Sequence, residues 1–164
     1  MASVKIILGI DPGIADTGYG VIKSEGSRLD CLCYGSIKTS AKLDLISRLE
    51  ILHTELDKII KQYRPDYASI EQLFFNKNVR TALIVGQARG VVLLTLKQNK
   101  LATFDYTPSQ VKSAVSAYGQ ASKLQVQKMV KLILNLKELP QPDDAADALA
   151  VAICGLNSKL CPKN

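Results

Sequence analysis

Acidic side chains occur in this sequence at points where short apolar segments end. The run IILGI at residues 6–10 is followed by Asp11, and the run YASI at residues 67–70 is followed by Glu71. A charge at the end of a buried strand is expected where it closes a turn or where it binds a cation. If the two strands are parallel neighbours, both carboxylates emerge at one edge of the sheet, where α/β folds place their sites.

A third group of acids opens the segment PDDAADALA at residues 142–150. Asp144 and Asp147 are three residues apart, so they share one face of a helix, and the alanines allow that helix to approach a sheet closely. Asp143 and Asp147 also share a face. We interpret Asp143, which follows a proline, as the N-cap acid and Asp144 as the site residue.

A candidate ligand set of four carboxylates, with no histidine or cysteine, is typical of a site for a hard cation that prefers oxygen ligands, Mg²⁺ or Mn²⁺. The chain has one histidine and four cysteines, and the cysteine spacings match no common zinc pattern. Two such ions about 3.5–4 Å apart can clamp the attacking and leaving oxygens of a phosphodiester. Each acid also has a structural alternative: Asp11 as turn former, Glu71 as surface acid and Asp144 as an acid at a helix start.

The length of 164 residues predicts a single domain over 1–164. The last residues, about six of them, are expected to form a loose tail. Charged residues interrupt every apolar stretch before it reaches the roughly 18 residues of a membrane span. A strand rather than a signal peptide opens the chain, so we expect a soluble, cytoplasmic protein with no membrane partner.

Positive charge is concentrated in the middle of the chain. Residues 76–137 contain ten basic residues but only one acid, Asp105, although the formal net charge of the whole chain is +6. A solvated helical face usually mixes both signs of charge. The exclusion of acids therefore predicts a polyanionic partner, with nucleic acid favoured.

The hydrophobic patterns predict an α/β protein with a five-stranded mixed sheet flanked by helices. Two glycines in the helix predicted over 76–98, Gly86 and Gly90, share one helical face, which makes sense where another backbone approaches closely. The predicted strands are 4–11, 19–23, 29–38, 67–71 and 102–106, and the predicted helices are 40–62, 76–98, 109–117, 122–136 and 143–157.

Four motifs together resemble the RuvC family of Holliday junction resolvases in order and spacing. They are GIDPGIADTGYGVI, IEQLFFNKN, GQARG and DAADALA, and they cover nearly the whole chain. The first is weak alone, because actin-like ATPases and other RNase H-fold proteins open similarly. The resemblance implies an RNase H-like fold and a homodimer that makes paired, symmetric nicks in a four-way DNA junction, in recombination and repair. It also implies a RuvAB-type branch-migration partner.

The resemblance assigns roles to individual residues. Asp11, Glu71, Asp144 and Asp147 would be the catalytic acids and the ligands of two Mg²⁺ ions, for which Mn²⁺ can substitute; some relatives carry histidine at the position of Asp144. The helix with the two glycines would form the dimer, with packing inside the chain as the alternative. A phenylalanine that stacks at the junction matches Phe74, although Phe75 beside it leaves open which ring points inward. The expected DNA-binding residues are Lys112, Lys123, Phe74, Lys77, Arg80 and Arg89.

Other functions remain open at this level. A non-catalytic junction-binding protein would keep the basic helices and tolerate loss of the acids, all four of which are present. An RNase H-type ribonuclease uses similar acids but leaves the GQARG helix unexplained. An actin-like kinase needs two lobes and a longer chain.

Overall fold

The computed structural model describes residues 4–73 and 79–158. Five strands and five helices occur in this part of the chain. The strands are β1 (Val4–Asp11), β2 (Asp16–Glu25), β3 (Arg28–Lys38), β4 (Tyr67–Glu71) and β5 (Ala102–Tyr106). The helices are α1 (Leu45–Tyr63), α2 (Val79–Gln98), α3 (Pro108–Ser116), α4 (Lys123–Ile133) and α5 (Asp143–Asn157).

The strands form one mixed sheet in the order β3-β2-β1-β4-β5. Strand β1 lies at the centre, antiparallel to β2 and parallel to β4, and β4 is parallel to β5. The β2–β3 hairpin turns at Gly26, whose positive φ of 62° suits glycine. The five-stranded mixed sheet expected from the sequence is therefore confirmed.

Helices cover both faces of the sheet, which explains why β1 is apolar from Ile6 to Ile10. Leu8 and Ile10 of β1 pack in the cluster that contains the buried residues of α1 and α2. Ile7 packs on the opposite face, in the cluster formed with α3, α4 and α5. Side chains alternate along a strand, so Gly9 and Asp11 lie on the α5 side with Ile7.

Helix α5 approaches the sheet at backbone distance because both surfaces carry small residues. A Cβ atom added at Gly9 would lie 2.0 Å from the Ala148 carbonyl oxygen and 2.6 Å from the Ala152 nitrogen. Ala145, Ala146, Ala148, Ala150 and Ala152 of this helix are all fully buried. The alanine run therefore brings the acids at the start of α5 close to the strand ends, as the sequence predicts.

Side-chain caps set several helix boundaries. Helix α1 begins at Leu45 rather than near residue 40, because the Asp44 carboxylate accepts a hydrogen bond from the Ser47 amide at 3.0 Å. Thr107 and Ser122 form capping boxes that start α3 and α4. Both of these helices also end earlier than their apolar patterns suggest.

Helix α2 leaves a stripe of its surface uncovered. Val79, Leu83 and Leu94 have 84%, 65% and 56% of their surface exposed. Among the residues that the structure describes, a Cβ atom at Gly86 or Gly90 would meet nothing within 4 Å. Within the described residues α2 is also the helix whose length and apolar composition would suffice to cross a membrane, a property shared by helices of soluble proteins.

Candidate active site

Two of the predicted acids end adjacent parallel strands. Ile10 of β1 is paired with Ile70 of β4, so the residues that follow, Asp11 and Glu71, emerge side by side at the same edge. Asp11 is also paired with Gly18 of β2. Because side chains alternate, Asp11 and Glu71 both face the layer that contains α5.

The turn after Asp11 is closed by a threonine. The Thr17 hydroxyl donates a hydrogen bond to the Gly13 carbonyl oxygen at 2.5 Å, and the Gly13 amide approaches the Thr17 hydroxyl at 3.4 Å. Thr17 is buried, which fixes this turn. The turn therefore has its own hydrogen bonds, and the Asp11 carboxylate is left to face the other acids.

The start of α5 corrects the interpretation of Asp143. Pro142, in an extended conformation, occupies the N-cap position, and Asp143 is the first residue of the helix. One Asp143 oxygen accepts a hydrogen bond from the Gln127 amide nitrogen at 2.9 Å instead of capping the helix. The residue before the helix is a proline with no side-chain acceptor, so Asp143 is free to reach α4.

Three carboxylates converge closely enough to share one cation. Oxygen atoms of Asp11, Asp144 and Asp147 all lie within 4.8 Å of one another. Glu71 adjoins them, because its side chain is hydrogen-bonded with Asp11 and lines one cleft with Asp147. The structure thus brings all four predicted acids together, from two strands and one helix.

Burial and mutual repulsion perturb this cluster. Burial raises the pKa of Asp11 from an ordinary 3.8 to about 8, and the three neighbouring carboxylates add to the shift. Burial also raises the pKa of Glu71, with a further contribution from Asp147, while the hydrogen bond with Asp11 acts in the opposite direction. Burial raises the pKa of Asp147 as well. Such crowding is relieved when a cation binds.

The donor set fits a hard metal ion. All four side chains offer carboxylate oxygens, from positions that the sheet and α5 hold fixed, and Mg²⁺ and Mn²⁺ prefer such ligands. A raised carboxylate pKa in a cleft is also typical of functional acids. The arrangement can therefore hold metal ions next to a polyanionic substrate.

Two predicted DNA-binding lysines adjoin these acids. Lys112 of α3 and Lys123 of α4 line a cleft of about 190 Å³ together with Glu71 and Asp147. The Lys123 ammonium lies 3.2 Å from an Asp147 oxygen and 3.4 Å from an Asp143 oxygen. Partial burial opposes protonation of Lys123, but these two carboxylates raise its pKa overall.

The other predicted DNA-binding residues differ in their placement. Phe74 and Lys77 lie outside the described residues. Arg80 is exposed near the start of α2. Arg89 forms an ion pair with Asp105 of β5 at 2.7 Å, and 23% of its side chain is exposed.

The sequence interpretation missed two residues that shape the site. Gly18 permits the close approach of α5, and a glycine within a strand pattern is a recognised signal of such approach. Gln127 was not singled out, although it stands four residues after Lys123 and so shares its helical face. The pairing of Gln127 with Asp143 depends on how two helices meet, which no local pattern reveals.

Comparison with known proteins gives a consistent result. The family model described as "Crossover junction endodeoxyribonuclease RuvC" matches residues 7–155. A curated protein of that name from Halothermothrix orenii is 55% identical over 153 residues, covering 93% of each chain. Another, from Ruminiclostridium cellulolyticum, is 56% identical over 153 residues, covering 93% of this chain and 92% of the relative.

Solved structures agree with these matches. The structure of Thermus thermophilus RuvC in complex with Holliday junction substrate superposes with a TM-score of 0.88 at 34% identity and covers 93% of both chains. The yeast mitochondrial Holliday junction resolvase Ydc2 has a TM-score of 0.65 at 15% identity, covering 90% of this chain and 76% of that one, and it supports the fold alone. The expected RNase H-like fold is confirmed.

Proposed function

The chain belongs to the RuvC family of crossover junction endodeoxyribonucleases, and we propose that its four clustered acids form the active site with which it resolves Holliday junctions. The observation that carries this assignment is the convergence of Asp11, Asp144 and Asp147 within 4.8 Å. Glu71 completes the set from the adjacent strand. The products would be paired nicks with 5′-phosphate and 3′-hydroxyl ends, which a ligase can seal.

The family is metal-dependent, and the acid cluster suits Mg²⁺, with Mn²⁺ as a substitute. Asp11, Glu71, Asp144 and Asp147 would hold two ions, which when bound activate a water molecule and stabilise the leaving 3′ oxygen. Asp11 would occupy the central position, because it lies beside Glu71 at the strand ends and within 4.8 Å of Asp144 and Asp147. Its pKa is raised to about 8. It must lose its proton before it can act as a ligand.

The two lysines would hold the DNA strand against the acids. Lys112 and Lys123 stand on α3 and α4 at the rim of the same cleft as Glu71 and Asp147. Ammonium groups there neutralise backbone phosphates, which contributes affinity without reading the base sequence. The exposed Arg80 of α2 would be a further phosphate contact. Phe74 and Lys77, together with Arg89, complete the set of proposed DNA contacts.

Paired cleavage requires two active sites on one junction, and the open face of α2 supports a homodimer. Val79, Leu83, Gly86, Gly90 and Leu94 recur at intervals of three or four residues, so they form one stripe along the helix. The large side chains of the stripe are exposed and the glycines have open space above them. Packing against residues 4–73 and 79–158 therefore does not account for the glycines, whereas close approach of a second copy would.

The proposed cellular setting follows from the family. The relatives are bacterial proteins named for cleavage of crossover junctions, so we place this protein on chromosomal DNA in the cytoplasm. A RuvAB-type branch-migration complex would be its partner there.

Cleavage of a labelled four-way junction, with and without Mg²⁺, tests the proposal. We expect Asp11→Asn to bind the junction but to leave it uncut. Asp30→Asn is the matched control, because Asp30 forms an ion pair with Arg28 near the hairpin turn, whereas Asp11 lies across from Gly18, near the other end of β2. Full cleavage by Asp11→Asn, or equal loss in the control, would refute the assignment.

A further inference from the structure

Helices α4 and α5 face each other through two pairs of residues spaced one helical turn apart. Lys123 and Gln127 lie on one face of α4, and Asp143 and Asp147 lie on one face of α5. The Lys123 ammonium bridges the two acids, at 3.4 Å from Asp143 and 3.2 Å from Asp147. Gln127 joins the arrangement from the other side of Asp143.

Asp143 is not one of the four proposed metal ligands. Its side chain is 53% exposed, and it does not share the grouping of Asp11, Asp144 and Asp147. One of its oxygens accepts the Gln127 hydrogen bond and the other contacts Lys123. Gln127 is only 6% exposed, so it offers a fixed anchor that holds the Asp143 carboxylate toward Lys123.

We propose that Asp143 is a positioning residue: it gives Lys123 a second carboxylate partner at the edge of the acid site, so that a metal ion can displace the ammonium from Asp147. The proposal rests on the proposed function, since it takes Asp147 to be a metal ligand.

The physical argument is one of competition. A lysine ammonium is a compact positive charge, so beside Asp147 it can substitute for part of a cation's charge. While Asp143 is present, Lys123 still has an ion-pair partner when Asp147 binds the metal ion. Without Asp143, Lys123 has Asp147 as its remaining acidic partner and competes with the ion for it. Held by Asp143, the ammonium stays at the cleft rim, where it can meet a phosphate.

A double-mutant cycle on Mn²⁺ binding tests this proposal without DNA. Mn²⁺ affinity is measured by calorimetry at one pH for the wild type, Asp143→Asn, Lys123→Met and the double variant. We expect Asp143→Asn to weaken Mn²⁺ binding about fivefold or more when Lys123 is present, a coupling typical of contacting groups. In the Lys123→Met background the same change removes only a partly exposed charge, and we expect a loss within about twofold.

The cycle separates positioning from other roles. An equal loss in both backgrounds would overturn the proposal, because Asp143 would then act on the ion directly or through the fold. Thermal unfolding of each variant without metal verifies that the protein is folded. Asp147→Asn distinguishes the two levels of inference: if that variant binds Mn²⁺ like the wild type, the proposed ligand set fails. If it loses binding while the cycle is additive, only the role of Asp143 fails.

Discussion

The backbone of Gly18 lies directly against that of Asp144: a Cβ atom added at Gly18 would stand 1.9 Å from the Asp144 carbonyl oxygen. Gly18 is also the pairing partner of Asp11 across the β1–β2 ladder. The single missing methyl group therefore lets a proposed ligand on the helix approach a proposed ligand on the strand. The glycine sets how far apart the two acids are.

Gly18→Ala is expected to impair cleavage more than stability. The new methyl group would push the start of α5 away from the sheet, and such overpacking costs about 1–3 kcal/mol. Because Asp144 moves with the backbone, we expect cleavage of a four-way junction to fall at least about tenfold, since small misplacements are costly in catalysis. Urea unfolding and cleavage rates measure the two effects.

Gly20→Ala is the matched control, on the same strand and the same face. Its Cβ atom would meet the Leu149 side chain, 2.6 Å from Cδ2, rather than the backbone of an acid. We expect a similar cost in stability with a smaller loss of cleavage. Equal losses of cleavage in the two variants would contradict a specific role for Gly18.

Asp11 is expected to make stability depend on pH in metal-free buffer. Its pKa is about 8 in the folded protein against an ordinary 3.8, so the folded state binds the proton more tightly. Stability should therefore fall as pH rises from about 4 to about 8, each unit of difference being worth about 1.4 kcal/mol. Asp11→Asn removes this term, so its unfolding midpoint should exceed the wild-type midpoint by a margin that grows with pH. A margin that stays constant with pH would contradict the raised pKa.

Metal binding is expected to release protons near neutral pH. At pH 7 a group with a pKa of about 8 is mostly protonated, and a ligand carboxylate must be ionised. Calorimetry of Mn²⁺ binding in buffers of different ionisation enthalpy should therefore show release of about one proton per protein. Binding heats that do not depend on the buffer would show that the acids are already ionised.

The glycines of α2 are expected to affect the dimer and the isolated chain in opposite directions. Alanine at Gly86 or Gly90 meets open space within the chain, so it should stabilise the helix by up to about 1 kcal/mol. In the proposed dimer the same methyl groups would separate the two helices. Analytical ultracentrifugation should show a weaker dimer, while denaturation at low protein concentration should show a more stable chain. An unchanged dimer constant would place the contact on another surface.

Arg80 and Arg89 are expected to contribute differently to DNA binding. Arg80 is exposed, and Arg80→Gln should reduce the slope of log affinity against log salt by about one. Arg89 is engaged with Asp105 at 2.7 Å, so Arg89→Gln should lower the free energy of unfolding and reduce the salt slope by clearly less than one. Equal reductions of the salt slope would make Arg89 a phosphate contact of the same kind as Arg80.

Local patterns were sufficient for the elements that carry the site. The apolar runs that end at Asp11 and Glu71 predicted two strands with an acid at the end of each, and the alanine spacing predicted how α5 packs. The N-cap position was wrong, because Pro142 takes the extended conformation that an acidic cap would have taken. Propensity alone does not distinguish two adjacent residues at a helix start.

Local sequence patterns could not predict the contacts between elements that lie far apart in the sequence. Arg89 of α2 belongs to the basic segment 76–137. Its ion-pair partner is Asp105 of β5, the only acid in that segment. Lys123 was expected near the cleaved strand from the resemblance, but its contacts with both Asp143 and Asp147 depend on the packing of α4 on α5. The net charge of a segment does not show which of its basic residues are paired with acids in the folded protein.

The close fit of α5 on the sheet has a consequence for the speed of metal capture. Because Ala148 and Ala152 lock the helix against Gly9, the acids are gathered when the chain folds rather than when the ion arrives. The folded chain therefore holds the acids in their binding positions before the ion binds, despite their mutual repulsion. The association rate should therefore be limited by water exchange on the ion and by deprotonation of Asp11, with no slow conformational phase.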